Sequence, residues 1–221
     1  MPLIRLQSLR ASTFLGLWHV TEEADSLQTQ LLALRPHHDL PVFKATSRTQ
    51  EWLASRVLVY SLLAELTPAP LLLQKHETGK PYLSGEAIQV SLTHSGNWVA
   101  ALVSCSHQVG IDLELKGEKI PRLAPRFLNE AELAAAALDA DKLHLYWSAK
   151  ETLYKVYSRR QLFFREQLLL QNFEKQASGQ FEGRIFTQTF DQKYTLHYEL
   201  GPDYVLTYVL APLNLQEQDV L

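Results

Sequence analysis

Between residues 47 and 66, Trp52, Leu53, Val57, Tyr60, Leu63 and Ala64 recur three and four places apart. That spacing lines one face of an α-helix with apolar side chains and predicts a long helix there. Residues 22–34 predict an earlier helix, with Thr21 as its N-cap and Pro36 closing it. Aromatic and β-branched runs predict strands at 14–20, 88–93, 98–104 and 109–115, and a shorter one at 71–73. Turns are expected at 76–81 and at Ser95-Gly96-Asn97. The second half repeats the order. An alanine-rich helix at 129–138 and a longer one at 143–157, with Trp147, Tyr154 and Tyr157 on its inner side, precede strands at 181–190, 194–199 and 204–210. The tail after Pro212 is polar and expected to fray.

Helices and strands in this order imply an α+β fold of two similar lobes, 1–105 and 106–221, with a site expected in the cleft between them. Residues 1–10 alternate apolar and polar positions without the apolar core of a secretory signal. No apolar run approaches the roughly 20 residues of a membrane helix. With 46% hydrophobic and 20% charged residues among 221, the chain reads as soluble and globular. Its formal charge of −3 argues against a general nucleic-acid binder. Cys105, the one cysteine, allows no intrachain disulfide, which fits a cytoplasmic protein.

Chemistry concentrates in two runs. In Val109-Gly110-Ile111-Asp112-Leu113-Glu114, strand alternation turns Asp112 and Glu114 to one face, and Gly110 permits close backbone approach just before them. In Trp147-Ser148-Ala149-Lys150-Glu151-Thr152-Leu153-Tyr154-Lys155, Glu151 and Lys155 share a helix face four residues apart. Each run alone is ordinary: a strand's wet face, and a helix pair worth a few tenths of a kcal/mol. Together, three carboxylates and an ammonium can hold a hard cation, bind its phosphate ligands and move a proton, the apparatus of phosphoryl-group chemistry.

The two runs, with Gly79-Lys80-Pro81-Tyr82 and Ser91-Leu92-Thr93-His94-Ser95 before them, resemble in order and separation the 4′-phosphopantetheinyl transferases of the two-lobed monomeric (surfactin-type) group. The resemblance spans about residues 48–155. It implies two α+β lobes in a pseudo-twofold arrangement. It also implies transfer of the 4′-phosphopantetheine group of coenzyme A to a serine of an apo acyl or peptidyl carrier protein, with adenosine 3′,5′-bisphosphate as the other product. On that resemblance Asp112, Glu114 and Glu151 are Mg2+ ligands, and Lys155 is a phosphate-binding lysine that assists the leaving group. Thr93, His94 and Ser95 lie against the coenzyme A phosphates, with Thr93 in place of the commoner serine. Gly79, Lys80 and Pro81 follow the adenine nucleotide, and Lys75 and Arg48 stand where basic residues bind the 3′-phosphate. Glu132 matches a glutamate used near the metal in some members, with Glu130 competing for the position. The base for the carrier serine is left among Glu151, Glu132 and a metal-bound water. The resemblance implies a monomer, while charge, hydropathy and the lone cysteine give the expectation of a cytoplasmic protein with no nucleic-acid or membrane partner.

Two other readings compete. Asp112-x-Glu114-x-Lys116 looks like the Glu-x-Lys strand of metal-dependent nucleases, but the two preceding predicted strands carry no carboxylate. A non-catalytic protein that only binds carrier or coenzyme A would be expected to have lost one of Asp112, Glu114, Glu151 and Lys155, and all four are present.

Overall fold

Apolar alternation and turn chemistry settle most of the strand pairing. The computed structural model describes residues 3–85, 87–158 and 162–213. They pack as two units: the chain up to Val109 together with Pro212 and Leu213, and Gly110–Ala211.

The first unit contains β1 (Leu3–Arg10), β2 (Thr13–His19), α1 (Ala24–Leu34), α2 (Thr46–Ala64), β3 (Leu73–Lys75), β4 (Pro81–Leu83), β5 (Gln89–Ser95) and β6 (Trp98–Ser104). β1-β2-β6-β5 form an antiparallel sheet, and β3 pairs with β4 in a separate small ladder. Helix α2 packs on β6, β2 and β5 and buries nearly every residue from Leu53 to Leu63. A side chain at Gly16 of β2 would strike Leu58 of that helix at 2.7 Å, so the glycine sets the depth of the contact.

β7 (His107–Leu115) crosses into the second unit. There follow α3 (Ile120–Leu123), a single 3-10 turn at Ala124–Arg126, α4 (Glu130–Ala136), α5 (Ala140–Tyr157), α6 (Phe164–Gln167), β8 (Leu168–Leu170), β9 (Ser178–Phe186), β10 (Asp191–Leu200) and β11 (Tyr204–Pro212). The sheet order is β7-β11-β10-β9-β8. Helix α5 packs on it through Leu145, Tyr146, Ala149, Leu153 and Val156, which join Leu168, Ile185 and Leu196 in one core.

Several expectations are corrected. Residues 3–10, whose alternation marks a strand, form the edge strand β1. Thr21 does not cap α1: Glu23 holds the N-cap position without a side-chain bond, and the Thr21 N–H instead meets Glu22 Oε2 at 3.0 Å. The short strand lies at Leu73–Lys75 and not at 71–73, because Leu71 is still in a turn, its N–H bonded to Ala69 O. Helix α5 begins three residues early, capped by Asp139, which accepts from the Lys142 N–H. The strand expected at 181–190 ends at Phe186, where the Thr187 N–H turns back to Phe190 O. Trp147, Tyr154 and Tyr157 are half-buried beside the α5 core, not within it. The tail lies outside the described residues from 214 onward. No helix among the described residues is long and apolar enough to cross a membrane.

Candidate functional site

Two hydroxyls and a glycine seat α5 against β7. Ser148 and Thr152, one turn apart, both bond the Thr207 hydroxyl of β11 at 2.9 and 2.7 Å, and Ser148 also donates to Asp112 O at 3.3 Å. Where the helix passes Gly110, any Cβ would stand 2.7 Å from Thr152 O and collide with Val156. Glycine is therefore required by close approach, and that approach brings Glu151 and Lys155 to Asp112.

Lys155 Nζ donates to Asp112 Oδ1 at 2.8 Å and to Ile111 O at 3.0 Å. Trp147 Nε1–H donates to Glu114 Oε1 at 2.9 Å. Burial, and after it the charge of Asp112, push the Glu151 carboxyl up to about 7; Lys155 pulls the other way and Glu114 adds to the rise. The structure thus brings Asp112, Glu114, Glu151 and Lys155 together.

The donor set suits a hard divalent cation in type, being all carboxylate oxygen. Among the described residues no three His, Cys, Asp or Glu side chains are drawn close enough to cage a metal ion. Mg2+ does not demand such a cage. It binds through one or two carboxylates, with waters and substrate phosphates filling the remaining positions.

Glu132 is not part of this cluster, which corrects its assignment near the metal. It caps α4: Asn129 accepts from the Glu132 N–H, and Glu132 Oε2 accepts from the Asn129 N–H, both at 2.9 Å. Oε2 also receives Lys150 Nζ at 2.7 Å, and Oε1 receives the Leu170 N–H at 2.9 Å. Both oxygens of this carboxylate are engaged with donors inside the fold, and it is only 2% exposed.

Beside Glu114 opens an apolar cavity of about 740 Å3, walled by Leu115, Ile120, Leu123, Phe127, Trp147 and Phe164. His144 holds its rim. The Gly117 N–H donates to Nε2 at 2.9 Å, and Nδ1–H donates to Ala140 O at 2.7 Å.

The remaining expected site residues lie in the first unit. Arg48, near the start of α2, donates to Glu51 Oε2 at 3.1 Å and stands 3.3 Å from His94 Nε2. Thr93, His94 and Ser95 end β5. Lys75 and Pro81 are cross-strand partners, joined by a turn in which Gly79 takes a φ of +88°, favoured by glycine. Lys80 O accepts from the His76 N–H in the same turn. Burial, then Arg56 and Arg48, push the Lys75 ammonium down. Arg56 and Glu51 escaped the sequence reading. Arg56 stacks on Trp52, 3.6 Å from its ring centre. Burial lowers its pKa to about 10, with Arg48 adding and Tyr60 opposing. The signal was available, since Arg48, Trp52 and Arg56 fall four apart on one helix face. Arg48, Arg56 and Lys75 form a positive group suited to an anion.

Residues 108–209, a little under half the chain, match the sequence profile of the 4′-phosphopantetheinyl transferase superfamily. No curated protein matches the chain. The match supports the superfamily over the region that holds Asp112, Glu114, Glu151 and Lys155, and the mixed α+β architecture agrees with it. Arg48, Lys75, Gly79, Lys80, Pro81, Thr93, His94 and Ser95 lie before the matched span.

Proposed function

We propose that this chain transfers the 4′-phosphopantetheine arm of coenzyme A to a serine hydroxyl of an apo acyl or peptidyl carrier protein, releasing adenosine 3′,5′-bisphosphate. The carrying observation is the cluster of Asp112, Glu114, Glu151 and Lys155 within the span that matches the superfamily.

In this reading one or two carboxylates drawn from Asp112, Glu114 and Glu151 hold Mg2+, with waters and substrate phosphates in its other positions. When bound, Mg2+ neutralises charge on the pyrophosphate and so eases its cleavage. The serine Oγ forms a bond to the phosphorus that carries the pantetheine arm, and the pyrophosphate P–O bond breaks. The hydroxyl proton goes to a free oxygen of Glu151, the carboxylate that α5 brings beside Asp112 and Lys155. Lys155 is 27% exposed and sits on a flexible four-carbon stem. Its Nζ turns from Asp112 to the leaving phosphate as charge builds there.

The pantetheine arm, largely apolar between its amides, lies in the cavity beside Glu114, where Trp147 and Phe164 exclude water. Lys75, Arg48 and His94, joined by Arg56, bind the 3′-phosphate. Thr93 and Ser95 offer hydroxyls to the other phosphates, and the Gly79-Lys80-Pro81 turn follows the adenine nucleotide. A cytoplasmic, monomeric enzyme is consistent with this use of two soluble substrates.

The test is to incubate the protein with Mg2+, coenzyme A and an apo carrier and to weigh the carrier. A gain of one phosphopantetheine is expected. A carrier of unchanged mass, with protein and carrier both folded, would refute the proposal.

A further inference from the structure

Lys150 is fully buried, and the transfer chemistry does not use it. Its ammonium donates to Glu132 Oε2 at 2.7 Å and to Phe164 O at 2.8 Å. Burial pushes its pKa down and Glu132 pulls it back up. An ion pair this deep is costly to desolvate, and a well-packed apolar pair of equal volume is often as stable. What the charges add is direction, because the pair ties three separate stretches of chain. Glu132 holds the N–H groups of Asn129 and Leu170, and Lys150 holds the carbonyl of Phe164.

Two of those stretches carry the rings that bracket Trp147. Phe127, two residues before Asn129, meets the Trp147 ring edge-on with centroids 4.8 Å apart. Phe164 packs 5.7 Å from Trp147 and 5.5 Å from Tyr154. It therefore lies over the stripe of α5 formed by Trp147, Lys150 and Tyr154, spaced three and four apart. Trp147 in turn donates its indole N–H to Glu114 Oε1 at 2.9 Å. An unbroken series of contacts runs from the buried pair through two aromatic rings to one carboxylate of the working cluster.

We propose that Glu132 and Lys150 are positioning residues for Glu114, fixing it through Phe127, Phe164 and Trp147. The inference rests on the reading of Glu114 as a metal-holding carboxylate. Without the pair, the segment around Phe164 loses its hydrogen bond to α5 and is held there by ring packing alone, Trp147 gains freedom to turn, and Glu114 loses its fixed orientation.

The test uses Glu132→Gln/Lys150→Met, which removes both charges together and leaves no lone buried ion. Gln still offers an oxygen to the Asn129 or Leu170 N–H. In the metal-free protein, Trp147 emission is isolated by subtracting the spectrum of a matching Trp147→Phe protein. It should shift to the red and become more easily quenched. In transfer assays the Mg2+ concentration for half-maximal rate should rise about tenfold, the scale of one lost orienting contact at a metal site, while the Michaelis constant for the carrier stays put. Phe164→Ala should reproduce both effects and add little when combined with the double variant, as expected for residues acting in series. Unchanged Trp147 emission, an unchanged Mg2+ requirement or strictly additive effects would overturn the proposal. If the double variant fails to fold, Phe164→Ala decides, and wild-type emission and Mg2+ dependence in it would overturn the idea. If the wild type itself transfers nothing, the functional reading fails, and the Trp147 spectrum still tests the linkage.

Discussion

Helix α5 carries two lysines five residues apart, each bonded to a carboxylate, and they have opposite fates. Lys150 and Glu132 are 0% and 2% exposed, and both Glu132 oxygens are engaged with donors. Lys155 and Asp112 are 27% and 5% exposed, and burial, with the charges of Asp112 and Glu114, pushes the neighbouring Glu151 carboxyl up. The first region is saturated and therefore rigid. In the second, Lys155 stays partly exposed, so in the proposed reading it can exchange its partner for a substrate. On the proposed function, exposure and hydrogen-bond saturation separate scaffold from chemistry here. Residue type does not, since both regions are lysines facing carboxylates.

The comparison breaks most visibly in the rate of transfer. Asp112→Ala or Glu114→Ala should lower it by about 10³-fold or more, the several kcal/mol expected of a metal-stabilised transition state. The fold should survive in circular dichroism. Near-wild-type turnover at saturating Mg2+ would remove these residues from the metal site. Next comes the contrast of the lysines. Lys155→Met should slow transfer roughly 10²-fold while costing less stability in urea unfolding than Lys150→Met, because Lys155 is 27% exposed and Lys150 fully buried. Lys150→Met leaves Glu132 buried and unpaired, and should cost roughly 3–5 kcal/mol of stability. If the two variants exchanged these phenotypes, the assignment of scaffold and site would be reversed.

A smaller effect is expected in the first unit. Lys75→Ala should weaken coenzyme A binding about 10- to 150-fold, the worth of one charge-assisted hydrogen bond. It should affect 3′-dephospho-coenzyme A much less, as calorimetry can show. Equal losses for both ligands would detach Lys75 from the 3′-phosphate.

The smallest effect is in pH dependence. The Glu151 carboxyl titrates near 7 in the folded chain against 4.5 for an ordinary glutamate. Below pH 4.5 it is protonated in both folded and unfolded states and contributes nothing. Between those values the folded state binds the extra proton, so stability falls as pH rises, and above 7 the full penalty is present. In EDTA, Glu151→Gln should therefore raise the melting temperature by a few degrees at pH 8 and leave it unchanged at pH 4. An equal effect at both pH values would contradict the account of its burial.

The sequence made the working cluster legible because both periodicities involved are strict. Alternation along β7 aligned Asp112 with Glu114, a four-residue step on α5 aligned Glu151 with Lys155, and Gly110 marked where the two elements touch. Glu132 was misjudged although its structural role was also written in the chain. Asn129 followed three places later by Glu132 is a capping box, and that pairing consumes the carboxylate. The burial of Lys150 left no such trace, because its partners Glu132 and Phe164 come from segments 18 and 14 residues away, and periodicity reports only on one element at a time. The short elements α3, α6 and β8 span three or four residues each, too few to establish a period.

The central claim is that Glu114 and its neighbours support phosphopantetheine transfer, and the mass of the carrier tests it most directly. An apo carrier treated with coenzyme A and Mg2+ should gain one phosphopantetheine with the wild-type protein, and none in the same time with Glu114→Ala or in excess EDTA. A carrier that gains nothing from the wild type, or gains as much from Glu114→Ala, would contradict the account.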